Sequence, residues 1–251
     1  MKEITDIHEL QSIEYDILSR FKEFCEEHNI TFFLEGGTLI GAVRHNGFIP
    51  WDDDIDLMVP RPDYERILEL FDDWGKKYNL KLVSWFTEPF FGRPMAKIID
   101  TRTSLKELGY VGDDEIGVFI DLFPLDGVSN NKVFRFVNDK YLKVLKKLQM
   151  MTIHGKIKFS LSTRKLSQMI EKQAKKVDYN ASSLVTCYWY SRRYYHQRDW
   201  FAKSLMHKFE EGQFPIPQGY DALLKNVYGD YMKLPPEDQR VAKHHADIYW
   251  K

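Results

Sequence analysis

The chain has 251 residues, 43% hydrophobic and 15% aromatic, enough apolar surface for one large domain or two small ones, and its 36 basic and 37 acidic side chains leave a formal charge of −1. That balance gives no global attraction to nucleic acid, and no run approaches the roughly 20 apolar residues that cross a bilayer. Cys25 and Cys187 are too few for a disulfide framework or an all-cysteine zinc site; with an opening "MKEITDIHEL" that lacks a basic and an apolar region, the expected location is cytoplasmic.

Thr5 is placed to cap a helix whose apolar residues Ile7, Leu10, Ile17, Phe21 and Phe24 recur at helical steps, ending near "EEHN". "ITFFLE" (30–35) reads as a buried strand running into Gly36-Gly37, after which Thr38 caps the short helix "LIGAVR". "DIDLMV" (54–59) is the next strand; Pro62 opens a helix through "DYERILELFDDWG" that stops at Gly75. Strands follow at 80–86, 95–100 and 117–123, and Pro124, Gly127 and "SNN" mark a boundary. Residues 1–127 are therefore expected to form an α+β catalytic core, a mixed sheet flanked by helices. Residues 128–251 are expected to be mainly helical, from the spacing in "KVFRFVNDKYLKVLKKLQMM", "STRKLSQMIEKQAKK" and "SSLVTCYWYSRRYY", and packed on that core.

Charge is uneven along the chain. Residues 131–176 carry 13 Lys/Arg against Asp139 and Glu171, a local +11 that leaves −12 for the rest. A solvated helix face is the default reading of that segment; the other is a basic amphipathic surface held at the inner face of a membrane. It has no recognisable nucleic-acid-reading motif, so no nucleic-acid partner is expected.

The chemistry concentrates in "EGGTLIGAVRHNGFIPWDDDIDLMV" (35–59). If the strand pleat extends through the aspartates, Asp52, Asp54 and Asp56 share one face while Asp53 points away with Ile55 and Leu57. Carboxylates so crowded repel one another, and a hard divalent cation offsets them; Mg²⁺ needs only one or two carboxylates when substrate phosphates complete its shell. The segment fails as an EF-hand, with Leu57 where the turn glycine belongs, and as a P-loop, since no Gly-Lys-Ser/Thr follows the glycines. Asp121, a polar residue in the apolar strand "GVFIDLF", adds a remote carboxylate, and a carboxylate pair plus a third on another strand suits metal-assisted nucleotidyl or phosphoryl transfer.

"GGTLIGAVRHNGFIPWDDDIDLMVPRPDYE", "IDLFPLDGV" and the late "YGDYMKLPPEDQR" together resemble the LicD family, which has a nucleotidyltransferase fold and includes relatives of fukutin. The resemblance implies a phosphotransferase that moves phosphocholine from CDP-choline to a hydroxyl of a cell-surface glycan or its lipid-linked precursor, with Mg²⁺ or Mn²⁺. It puts the family's Asp-x-Asp-x-Asp on Asp52, Asp54 and Asp56, with Asp54, Asp56 and Asp121 as metal ligands and Asp121 as ligand or base. Gly36, Gly37 and Thr38 would meet the donor phosphates, with Arg44, His45 and Lys97 as cationic partners and Arg102 and Lys106 as weaker ones. A quaternary ammonium would want aromatic rings, which the chain offers at Trp85, Phe86, Phe90 and Phe91 and in "CYWYSRRYYHQRDWF" (187–201). His244 and His245 point differently from one element and make a poor metal pair. Transfer of ribitol, glycerol or ethanolamine phosphate, true nucleotidyl transfer, and non-catalytic glycan binding are the alternative readings.

Overall fold

Asp6, rather than Thr5, caps α1 (Ile7–His28): its carboxylate accepts from the His8 N–H at 2.9 Å. The helix ends where Asn29 turns left-handed at φ 51°. The computed structural model describes residues 2–88, 91–107, 116–153, 163–188, 194–242 and 246–251. Along α1, Leu10, Ile13, Ile17, Phe21 and Phe24 are buried and form the stripe that packs on the central sheet.

The sheet is assembled from β2 (Phe33–Leu34), β3 (Asp56–Pro60), β4 (Leu80–Ser84), β5 (Ala96–Asp100) and β7 (Phe119–Val128), in the order β2-β3-β7-β5-β4. β3 and β7 run parallel, while β5 is antiparallel to β7 and to β4. Between these strands lie α2 (Gly36–His45) and α3 (Arg61–Gly75), the latter with Pro62 in its first turn. Leu57, Met58, Val59, Ile98, Ile120 and Leu122 are fully buried, which is why these strands read as apolar runs. The expectation of a mixed sheet flanked by helices is met over this region.

The second half departs from the mainly helical expectation. It holds α4 (Lys132–Ile153), α5 (Thr163–Ala174) and α6 (Tyr220–Tyr228), but also β8 (Leu184–Thr186), β9 (His196–Gln197), the hairpin β10 (Ser204–Phe209) with β11 (Gly212–Pro217), and β12 (Ala246–Trp250). "SSLVTCYWYSRRYY" is a strand at 184–186, not a helix, because Leu184, Val185 and Thr186 extend the sheet by pairing with the end of β7; residues 189–193 lie outside the described residues. β7 itself runs through Val128, across the boundary expected at 127, and β12 pairs with both β6 (Thr103–Glu107) and β1 (Lys2–Glu3). The two halves of the chain are thus interlaced through strand pairing.

A buried ion cluster joins α3, β7 and α5. Arg61 donates to Asp126 at 2.6 and 3.0 Å and to Glu171 at 3.3 Å. Burial pushes the Asp126 carboxyl up, and Arg61 opposes that shift. Among the described residues no helix is long and apolar enough to cross a membrane.

Candidate active site

Strand register builds the centre of the site. Asp56 on β3 is the register partner of Asp121 on β7, and Asp121 is the register partner of Lys97 on β5. Paired positions on adjacent strands share a face, so the sheet holds a transverse row of two carboxylates and an ammonium. Lys97, 1% exposed, closes an ion pair to Asp121 Oδ1 at 2.7 Å and lies 3.1 Å from the centroid of the Phe119 ring.

Asp52, Asp53 and Asp54 precede β3 rather than continue it. The strand pleat therefore does not govern them, and Asp53 does not point away: all three carboxylates bring an oxygen within 4.8 Å of the others. The Gln11 side chain, from α1, fixes this turn by donating to the Asp52 carbonyl at 2.9 Å, and Asp121 N–H donates to the Ile55 carbonyl at 2.8 Å.

The Gly-Gly pair explains how Asp52 and Asp56 come so near α2. Gly36 sits at φ +56°, and a Cβ there would lie 3.1 Å from Asp56 Oδ2 and 3.6 Å from the Tyr228 hydroxyl. A Cβ on Gly37 would collide with the Asp52 carboxylate. Thr38 does not cap this helix, which starts two residues earlier; its hydroxyl accepts from the Asp56 N–H at 2.9 Å and so positions the aspartate.

Two further carboxylates reach the cluster, Glu14 from a helix that no motif indicates and Glu35 from the residue just before Gly36-Gly37. Glu14, on the buried stripe of α1, is 3% exposed and its Oε2 is buried without a hydrogen-bond partner. Burial, then Asp54, Asp53 and Asp52, push its carboxyl well above the ordinary range. With Asp53 it lines a cavity of about 50 Å³ walled by Leu10, Leu105 and Phe119. Glu35, buried at the start of α2, adds negative charge near Asp56. A polar residue on the inner side of an amphipathic helix is the one sequence signal that could have pointed to Glu14. Tyr228, at the end of α6, was also missed: its phenol is pushed up by burial and then by Glu35, Asp56, Asp52 and Asp54.

The remaining expected residues divide. Arg44 donates to the Tyr231 carbonyl at 2.7 Å and to His45 Nε2 at 2.9 Å, so it ties α2 to the C-terminal segment while feeling the charge of Asp52. Burial and Arg44 lower the His45 pKa. Arg102 forms a fork on Asp100, with its shortest contact 2.6 Å, and Lys106 is exposed on β6. Of the aromatic candidates, Phe91 is buried in the core, Phe86 is exposed, and Trp85 donates to Glu171. Phe90, Tyr190, His244 and His245 lie outside the described residues.

The chemical problem of this arrangement is charge. Among the described residues Glu14, Glu35, Asp52, Asp53, Asp54, Asp56 and Asp121 converge, and Lys97 and Arg44 are cations that act on them. Asp56 records the imbalance: burial, then Asp54 and Asp121, drive its carboxyl well above the ordinary range. Half-buried Asp52, Asp53 and Asp54, with oxygens within 4.8 Å of one another and the buried, unpartnered Glu14 Oε2 in their field, suit a divalent cation with oxygen preference, so the residues present fit Mg²⁺ or Mn²⁺.

The family model described as LicD/FKTN/FKRP, nucleotidyltransferase domain, matches residues 29–170, the span that contains α2, the carboxylate turn and the Asp56–Asp121–Lys97 row. The chain belongs to the LicD family. Over 269 aligned residues it is 32% identical to the lipopolysaccharide cholinephosphotransferase LicD of Haemophilus influenzae, with 99% of each chain covered. It is also 53% identical over 34 residues to the ribitol 5-phosphate transferase FKRP of mouse and of human, a match covering 14% of this chain and 7% of those proteins. The LicD family model ends at residue 170, so Tyr228 comes to the site from beyond the matched span.

Proposed function

We propose that this LicD-family phosphotransferase moves phosphocholine from CDP-choline to a hydroxyl of a cell-surface glycan or its lipid-linked precursor, with Mg²⁺ or Mn²⁺ held by Asp54 and Asp56 and with Asp121 as the base. The observation that carries the reading is the row Asp56–Asp121–Lys97 across the sheet, beside Asp54, in a chain that aligns from end to end with a cholinephosphotransferase. A divalent cation bound there supplies positive charge to the donor's pyrophosphate as it is cleaved.

The chain's own groups have distinct tasks. Thr38 holds the Asp56 backbone, and Lys97 holds the Asp121 carboxylate against β5. Gly36 and Gly37 leave room for the Asp52 and Asp56 carboxylates at the start of α2, and the donor diphosphate would approach on that side. Arg44, at the other end of that helix, connects it to the C-terminal segment and carries positive charge there, while His45, its pKa lowered, accepts from Arg44 and orients it. When the acceptor oxygen attacks the phosphorus that bears choline, the bond to the bridging oxygen breaks, CMP departs, and Asp121 takes the hydroxyl proton.

Ribitol phosphate from CDP-ribitol is the second reading, favoured by the short match to the ribitol 5-phosphate transferases. The deciding assay incubates the protein with CDP-choline, CDP-ribitol, CDP-glycerol or CTP, with and without Mg²⁺, in the presence of a glycan acceptor, and scores CMP and pyrophosphate separately. Metal-dependent CMP release from CDP-choline supports the proposal, and release from CDP-ribitol alone moves it to the second reading. Pyrophosphate from CTP alone makes the enzyme a nucleotidyltransferase.

A further inference from the structure

The outer face of α4 is built in the opposite sense to an ordinary surface helix. Its inner side buries Asn138, Leu142, Leu145, Gln149 and Ile153, with Leu142 and Leu145 packed against Leu166, Ile170 and Ala174 of α5. On the outer side the three- and four-residue steps of the helix align Val133, Phe136, Val137, Lys140, Val144 and Lys147 in one stripe. Val133 is 74% exposed, Phe136 62%, Val137 59% and Val144 57%; Phe134 and Tyr141 are exposed along one edge. A helix of this length that turns valine and phenylalanine to water leaves an apolar strip, crossed by Lys140 between Val137 and Val144, and such exposed apolar surface is the mark of an interaction surface.

Cations frame that strip. Lys132, Arg135, Lys140, Lys143, Lys146 and Lys147 accompany Asp139 as the helix's sole acid, and Asp139 accepts from the Tyr195 hydroxyl. Among the described residues, Phe136, Met150 and the lysines 140, 143, 146 and 147 line a shallow trough of about 490 Å³ beside the stripe. The Lys140 ammonium lies 5.3 Å from the Phe136 ring centroid, so cation and apolar anchor are adjacent.

We infer that the outer face of α4 docks the protein on a membrane surface rich in anionic phospholipid, with Val133, Phe136, Val137 and Val144 entering the acyl boundary and the lysines meeting the headgroup phosphates. The charge complementarity selects this occupant. An apolar stripe edged by lysines matches the boundary where hydrocarbon gives way to phosphate. A two-fold contact with a second copy through this face would set the lysine-rich strips against each other, which costs like-charge repulsion. Nucleic acid would leave the central valines without a stacking partner. The inference does not depend on which headgroup the active site transfers, because membrane binding is read without turnover.

The test is co-sedimentation of the full chain with phosphatidylcholine vesicles and with vesicles carrying added phosphatidylglycerol, at low and high salt, beside light scattering of the protein alone. Two variants accompany it, Phe136→Glu/Val137→Glu and Lys140→Glu/Lys143→Glu/Lys147→Glu, with melting temperatures as a fold control. The expected result is salt-sensitive binding to the anionic vesicles only, reduced at least tenfold by the first variant. The second loses roughly a hundredfold, at about fivefold for each lysine removed. In Val137→Trp the indole emission shifts to the blue on adding anionic vesicles. Absence of vesicle binding, or equal binding by wild type and both variants, overturns the inference; so does self-association that Phe136→Glu/Val137→Glu abolishes while vesicles are ignored.

Discussion

Asp56 and Asp121 are register partners on the parallel strands β3 and β7, and Lys97 meets Asp121 at 2.7 Å from the other side. The two carboxylates therefore sit on neighbouring strands of one sheet with the Lys97 ammonium in line, and burial, then Asp54 and Asp121, raise the Asp56 carboxyl well above its ordinary range. That imbalance makes the site's residues separable by experiment.

Asp54→Asn and Asp56→Asn are expected to lower transfer at least a hundredfold while the chain stays folded, since each substitution removes charge with little change of volume. In metal-free buffer the Asp56→Asn protein should melt no lower than the parent, because burial, and then Asp54 and Asp121, oppose the charge of the Asp56 carboxyl. Parallel thermal melts and CMP-release assays check both halves; full activity in either variant removes that residue from the site.

Lys97→Met leaves the Asp121 carboxylate without its buried partner and is expected to cost about 3 kcal/mol of stability. Adding Asp121→Asn should recover part of that loss. Urea unfolding of the two single variants and the double variant gives the coupling, and additive losses would mean that the pair contributes nothing as a pair.

Glu14→Gln tests the carboxylate contributed by α1. Its unpartnered Oε2 lies in the field of Asp52, Asp53 and Asp54, so removing the charge should weaken Mn²⁺ binding about tenfold, read by calorimetric titration without any donor. Unchanged affinity would place Glu14 outside the cation's reach.

His196, 3% exposed, has its pKa pushed down from 6.5 to about 4 by burial. The unfolded chain then binds this proton more readily than the folded one between those values, so stability is full above pH 6.5 and falls as the pH drops towards 4. The shift corresponds to about 3 kcal/mol. Urea midpoints measured across this range should decline, and His196→Gln should flatten that part of the curve; an unaltered slope would assign the loss to other groups.

The local signals were legible where one element answers to its own sequence. Apolar periodicity located α1, the strand at Leu57–Val59 and the strand around Ile120–Leu122; the density of aspartates beside Gly-Gly pointed to Asp52, Asp54 and Asp56, and a lone carboxylate in an apolar strand pointed to Asp121. Where the pleat was extended past the start of β3, it put Asp53 on the wrong side, because alternation holds only inside a strand. Helical spacing in "SSLVTCYWYSRRYY" likewise lost to the free edge that the end of β7 offers at 184–186.

What the sequence by itself determined is the family pattern of aspartates and glycines and the buried faces of α1, β3 and β7. Only the tertiary structure decided the company those residues keep: Lys97 beside Asp121, Glu14 against the aspartate turn, Tyr228 over Gly36, and β12 between β6 and β1. The physical reason is range. Periodicity and turn chemistry act over a few residues, whereas strand register and helix docking are set by burying one shared core, and that choice couples positions as distant as Gly36 and Tyr228.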